Sequence, residues 1–266
     1  MEPAARIRAW RPGVPGVAEV LHARFSEHAY PKHTHDTWTV LVVESGTIRY
    51  ELDHHEHGVR RPLVTVLPPH VAHDGRAATP DGFVKRVLYL EQGRLDVDLV
   101  GRAVDHPGWA DPALRSEVDL VHRALAHPGD ELEAESRLAL VTERLARHLA
   151  RDAVHVETPR APALVARLRE LLDAHAVEGI TLEQAAGVLD ASPTHLVRAF
   201  RRETGIPPHR YLVGRRLDAA RRRLLRGDRP VDVAAATGFY DQAHLTRHFR
   251  QLLGVTPGEY VASARA

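Results

Sequence analysis

The sequence predicts an α+β multidomain protein: a β-rich N-terminal domain, a helix pair behind it, and an all-α C-terminal domain. Three observations carry that expectation. Residues 20–90 hold the β-branched and aromatic runs "TWTVLVVES", "TIRYEL", "PLVTVLP" and "FVKRVLYLE", separated by Gly, Pro and His clusters, a pattern of short strands closing into a small sandwich or barrel. From Pro112 to Asp152 the apolar period lengthens to helical, with Leu114, Val118 and Val121 before the break "HPGD" and Leu138, Val141, Leu145 and Leu149 after it. Finally, "THLVRAFRRETGIPPHRY" at 194–211 returns as "AHLTRHFRQLLGVTPGEY" at 243–260. Aligned 49 residues apart, 185–211 and 234–260 share ten identities in 27, where chance gives roughly two, so the chain contains an internal repeat.

Composition narrows the possibilities. With 266 residues the chain can build more than one core, and with no cysteine it has neither a disulfide scaffold nor a thiolate metal site. No run approaches the length of a membrane span, and "MEPAARIRAWRPG" lacks a signal-peptide core. A cytoplasmic location without a membrane partner is therefore expected. Charge is uneven: residues 160–266 hold 17 Arg, no Lys and 11 acidic groups, net +6, which leaves net −5 for residues 1–159. A basic half beside an acidic half suggests that the C-terminal part meets a polyanion.

These patterns divide the chain into a barrel at 1–110, a helix pair at 111–154, a linker at 155–163 and an all-α domain at 164–266. "HVETPRAPA" is read as the linker because it has two prolines, no periodicity and a change of charge sign across it. The helix pair is expected to make a homodimer, since its apolar positions exceed what one side of a small barrel requires.

Each copy of the repeat has helix-turn-helix syntax. In the first, Thr181 and Gln184 form a capping box for "LEQAAGVL", and Ser192 caps a second helix that Gly205 stops near Thr204. The second copy has "VDVAAAT", a turn at Gly238, Asp241 as N-cap, and a helix through Leu253 stopped by Gly254. The recognition helices are thus 192–204 and 241–253. Leu196 and Phe200, like Leu245 and Phe249, face the core, whereas Arg198 and Arg247 fall opposite with Thr194, Gln242 and His244. Arginine can bond guanine in a bidentate manner and glutamine can do so with adenine.

The segments "TLEQAAGVLDASPTHLVRAFRRETGIPPHRYL" and "VDVAAATGFYDQAHLTRHFRQLLGVTPGEY" resemble the DNA-binding domain of the AraC-type family of bacterial transcription regulators. That resemblance implies two helix-turn-helix units joined by a long helix, here "HRYLVGRRLDAARRRLLRG", with both recognition helices entering successive major grooves of double-stranded DNA. It assigns base contacts to Thr194, Val197 and Arg198, and to Gln242, Ala243, His244, Thr246 and Arg247. Val261 stands where the family carries a basic residue, which weakens one phosphate contact rather than the whole assignment.

"YPKHTHDTWTVLVVESG" and "PPHVAHDG" resemble the two signature regions of the cupin-like barrel that precedes this domain in many AraC-type regulators. His33 and His35 alternate onto one strand face, and His73 follows a Pro-Pro turn. These three imidazoles could orient a small effector, serve the structure, or hold a divalent metal as cofactor. Metal-binding cupins carry a glutamate where this chain has Thr39. Alternation points Thr37, Thr39, Ile48, Tyr50 and Leu52 inward, and either Lys85 or Arg86 should line the adjacent wall. The effector site is thus read as His33, His35, Thr39, Tyr50 and His73, suited to a small polar or aromatic molecule. The cluster "DHHEH" at 53–57 reads as a solvated hairpin tip.

The function expected is a ligand-responsive, sequence-specific DNA-binding transcription regulator without enzymatic activity, with RNA polymerase as a further partner. The alternatives are a metal-responsive regulator and a metal-dependent cupin enzyme carrying a nucleic-acid-binding module.

Overall fold

A computed structural model describes residues 5–26, 29–53, 55–150, 161–253 and 255–263. The chain clusters into two compact units: Met1–His122 with Leu140–Val156, and Arg123–Ala139 with Glu157–Ala266.

The first unit holds β1 (Ala5–Trp10), β2 (Val17–Phe25), β3 (Ala29–His33), β4 (Trp38–Gly46), β5 (Ile48–Leu52), β6 (His55–Val59), β7 (Val64–Leu67), β8 (His73–Ala77), β9 (Phe83–Leu90), the short helix α1 (Val100–Asp105) and β10 (Gly108–Trp109). They form two antiparallel sheets, β1-β2-β9-β4-β7-β10 and β3-β8-β5-β6. The sheets enclose a shared apolar interior that includes Leu41, Ile48, Tyr50, Leu52, Phe83 and Val87. The four expected runs are all strands, but the barrel is open: among the described residues, no strand pair hydrogen-bonds one sheet to the other. Period-two alternation explains how β9 serves two surfaces, with Phe83, Lys85, Val87 and Tyr89 toward the interior cavity and Leu88 and Leu90 fully buried on the other face. In the "DHHEH" segment Asp53 belongs to the turn, with φ 45°; His55 to His57 pair with β5 as β6, and the His57 ring stacks on Tyr50.

Helix α2 (Pro112–Leu125) covers the outer face of the larger sheet. Arg115 donates to the carbonyl of Val43 and to Glu44, Arg86 bonds Glu44 and Asp119, and His22 meets His122 at 3.1 Å. Asp111 caps α2 and receives Arg144 and His148 from α3 (Glu131–Leu149). This packing revises the dimer expectation. Leu138 and Leu145, two of the apolar positions behind that expectation, are 2% and 0% exposed within one chain, so neither is left over to face a second copy.

The second unit contains the first turns of α3, then α4 (Pro162–Ala174), α5 (Leu182–Leu189), α6 (Pro193–Thr204), α7 (Pro208–Leu225), α8 (Pro230–Ala236), α9 (Gln242–Leu253) and α10 (Pro257–Ser263). Most of the expected linker, 155–160, lies outside the described residues; its last residues, Pro162 and Ala163, already belong to α4, because proline is well placed in a first helical turn. The two repeat copies are α5-α6 and α8-α9, joined by α7. Their identities have a packing reason. Leu196, Phe200, Leu245 and Phe249 are 0% exposed, and the rings of Phe200 and Phe249 meet those of Tyr211 and Tyr260 edge-on at 5.5 and 5.3 Å.

Candidate functional site

Two sites emerge, one in each unit. In the first, β3, β4, β5, β7, β8 and β9 line a cavity of about 90 Å3. The imidazoles of His33, His35 and His73 converge at its mouth with ring centres 4.7 to 5.0 Å apart, and Thr39, Tyr50, Tyr89 and Lys85 complete the polar wall. All five residues expected for the effector site are therefore neighbours, whereas Thr37 lines an outer groove instead. The choice left open between Lys85 and Arg86 falls to Lys85, since Arg86 points outward into the ion pairs with Glu44 and Asp119.

Hydrogen bonds fix where the protons sit. His33 Nδ1–H donates to the carbonyl of Pro31 at 2.7 Å and His73 Nδ1–H to that of Val71 at 3.0 Å. A carbonyl cannot donate, so both Nε2 atoms are left as electron-pair donors. Burial, with the neighbouring imidazoles and Lys85 adding to it, lowers His35 to about 4; burial likewise lowers His73. Lys85 is lowered to about 8 by burial, its Nζ standing 4.1 Å from the centre of the Tyr30 ring. Burial and the nearby Glu19 push Tyr89 up to about 12, and burial raises Tyr50. The cavity thus offers imidazole lone pairs, one ammonium and three phenols, those of Tyr30, Tyr50 and Tyr89, that burial keeps protonated.

In the second unit the reading surface comes from α6 and α9. Ser192 Oγ accepts the amide of His195, and Asp241 Oδ1 accepts that of His244, so each recognition helix starts at a side-chain cap, as the sequence anticipates. Gln242 and Ala243 are exposed and border an open surface with Thr246, Arg247 and Arg250. Thr194 and Arg198 are half-buried on α6. Two expected base contacts are corrected. Val197 is 0% exposed and belongs to the core beside Leu196, so its side chain is not offered to a thymine methyl. His244 is 5% exposed, because its ring turns inward against Phe239 at 5.3 Å.

That inward turn brings in Asp130, which sequence reasoning misses. Its Oδ1 accepts from His244 Nε2 at 3.0 Å and His248 Nε2 at 2.9 Å, and its Oδ2 pairs with Arg247 at 2.6 Å. Burial raises the Asp130 carboxyl, but hydrogen bonds from His244 and His248 and the charge of Arg247 outweigh that effect and hold it below the usual carboxylate range. The backbone N–H of Tyr240 donates to His244 Nδ1 at 3.1 Å. The ring proton of His244 is therefore on Nε2, the atom facing Asp130. Although Asp130, His244 and His248 have metal-ligand types within 4.8 Å of one another, this proton makes the group a hydrogen-bonded ion cluster, and it lacks the free lone pair that a metal requires.

Comparison with known proteins gives a consistent picture. Residues 15–141 match the family model described as AraC-like ligand binding domain, and residues 185–263 match one described as helix-turn-helix domain. The chain is 26% identical over 261 residues to the transcriptional activator RhaS of Klebsiella pneumoniae (strain 342), covering 93% of this chain and 92% of that one. It is 32% identical over 114 residues to the transcriptional regulator YbfI of Bacillus subtilis (strain 168), covering 43% of this chain and 42% of YbfI, less than half the length of that relative. Among solved structures, the DNA-binding domain of AdpA in complex with a target DNA is 31% identical, with a TM-score of 0.36, covering 38% of this chain and 92% of that one.

Proposed function

The chain belongs to the AraC-type family of transcription regulators, and from that premise we propose that it is a ligand-responsive regulator that reads two adjacent major grooves of promoter DNA. The single observation that carries this reading is the repeat: Arg198 and Arg247 occupy equivalent positions on two capped helices, each held by the same Leu and Phe anchors. Roles follow from this reading. Gln242, Ala243, Thr246 and Arg247 face the DNA in one groove, Thr194 and Arg198 in the next, and the net +6 of residues 160–266 supplies the sequence-independent attraction.

The signal is read in the cavity of the first unit. A volume of about 90 Å3 is smaller than the ~150 Å3 apolar cavity that accepts benzene, so an aromatic effector requires the cavity to widen. A compact polar molecule suits it better, with hydroxyl or amine hydrogens toward His33 and His73 and an acidic group toward Lys85. A divalent metal is the second reading, favoured by the two free Nε2 atoms. His33, His35 and His73 would hold it, and it would supply a Lewis-acid centre for an anionic ligand; the Lys85 charge opposes it. No catalytic step is assigned to this cavity, and the protein acts in the cytoplasm, where promoter DNA and RNA polymerase are. A homodimer is part of the proposal, by a surface other than Leu138 and Leu145.

The test is selection of bound duplexes from a random pool, followed by titration of the winning site. Arg198→Ala and Arg247→Ala should each lose about 1 to 3 kcal/mol on that site and relax one position. A pool that yields no preferred sequence would sink the reading. Thermal shift of the whole chain with small hydroxy acids, and separately with divalent ions, decides between the two effector classes.

A further inference from the structure

Sequence reading leaves the stretch "GDELEAE", residues 129–135, without a role beyond joining two helices. Four of its residues are acidic: Asp130, Glu131, Glu133 and Glu135. In the structure, residues 123–139 belong to the unit that carries both recognition helices. Two of these carboxylates, Asp130 and Glu135, meet groups of the kind that a helix-turn-helix protein turns toward DNA.

Three contacts define the pattern. On α9, Asp130 holds Arg247 at 2.6 Å, together with His244 and His248. Its two oxygens give Arg247 an acceptor of the kind that guanine O6 and N7 or a phosphate would present. At α5, the first helix of the first helix-turn-helix unit, Glu135 accepts the backbone N–H of Leu182. That amide is one of the unpaired donors at a helix start, where DNA-binding proteins receive phosphate oxygens. On α6, Thr194 Oγ1 donates to the backbone carbonyl of Ala139 at 3.4 Å. One continuous segment therefore engages both copies of the repeat and matches a duplex in charge sign and in acceptor character. A structural salt bridge alone would explain Asp130, but it would not explain why the same segment also supplies an anion to α5 and an acceptor to Thr194.

We propose that residues 130–139 are an internal DNA mimic: they occupy the reading surface in the absence of DNA, and a duplex must displace them. The proposal rests on Arg247 being a DNA contact. The segment makes the described conformation a closed one, and whatever loosens it raises affinity for the operator. Because α3 runs unbroken from Glu131 to Leu149, the mimic shares one helix with residues that pack in the effector-binding unit.

The experiment uses the full chain and the duplex selected above. Asp130→Asn removes the charge while keeping the shape, and Glu135→Gln does so at the other end, so a folding defect in one leaves the other informative. Each should tighten binding on the order of tenfold, within the usual range of coupling between sites. In an Arg247→Ala background, Asp130→Asn should give no gain, because the group it releases is gone, whereas Glu135→Gln should still give one. Folded variants, judged by an unchanged thermal transition, that bind the duplex no more tightly than wild type overturn the mimic. If Arg247→Ala alone keeps full affinity and sequence preference, the assignment of Arg247 to DNA fails instead, and a gain from Glu135→Gln would then place the mimic on the first copy only.

Discussion

Replacing Lys85 by methionine should stabilise the first unit at neutral pH, and the size of the gain can be worked from the cavity. An ammonium wedged between Tyr30 and Phe83 is lowered from 10.5 to about 8 by burial. That gap corresponds to roughly 3 kcal/mol against the charged form. Partial hydration reduces it, and attraction to the Tyr30 face returns about 0.5 to 2 kcal/mol. Lys85→Met keeps the length of the side chain and removes the charge, so a net gain of about 1 to 2 kcal/mol at pH 7 is expected. The sign with pH follows from linkage: between about 8 and 10.5 the unfolded chain binds more protons than the folded one, so wild-type stability rises with pH and closes on the variant. Trp10, Trp38 and Trp109 all lie in this unit, so urea unfolding followed by tryptophan fluorescence at several pH values reports it directly. A variant less stable than wild type at pH 7, or a difference that stays flat up to pH 10, would refute the reasoning. The same variant should lose response to an acidic effector, since stability would have been given up for that charge.

Three further outcomes are expected. Gly238→Ala should destabilise the second helix-turn-helix by about 2 kcal/mol or more, because Gly238 has φ +81° and an added Cβ would lie 2.5 Å from the carbonyl oxygen of Ala176; thermal denaturation checks it. Ser192→Ala and Asp241→Ala each remove a helix cap and should cost about 1 kcal/mol apiece, with loss of operator affinity in a gel-shift titration. Acid should destabilise the protein early: burial lowers His35 and His209 to about 4 and lowers His73 and His122 as well. The unfolded chain takes up those protons first, so stability is lost as pH falls below the ordinary value of 6.5, and a flat profile from pH 7 to pH 5 would contradict it.

Local rules made much of this fold legible. The capping box at Thr181 and Gln184, the caps at Ser192 and Asp241 and the alternation of β4, β5 and β9 are short-range patterns, and each appears where the sequence puts it. The convergence of His33, His35 and His73 was legible too, because strand alternation and a Pro-Pro turn fix their direction. Long-range partners were not. Asp130 and His244 are 114 residues apart, and nothing in either local sequence announces the other. Val197 was misplaced for a related reason: helical periodicity gives a face, but only packing decides how wide the buried face is. β1 and β2 stayed hidden because alanine, a weak strand former, fills several of the apolar positions in their alternation. Leu138 and Leu145 read as surplus apolar surface because a helical stripe does not say what covers it, yet both are buried.

The reading of two grooves by one duplicated module is tested most directly by footprinting the selected duplex at base-pair resolution with wild type, Arg198→Ala and Arg247→Ala. Two protected major-groove patches about one helical turn apart on one face of the DNA are expected, with each substitution erasing sequence preference in one patch and sparing the other. A single protected patch, or two patches that both keep full preference in both variants, would contradict it.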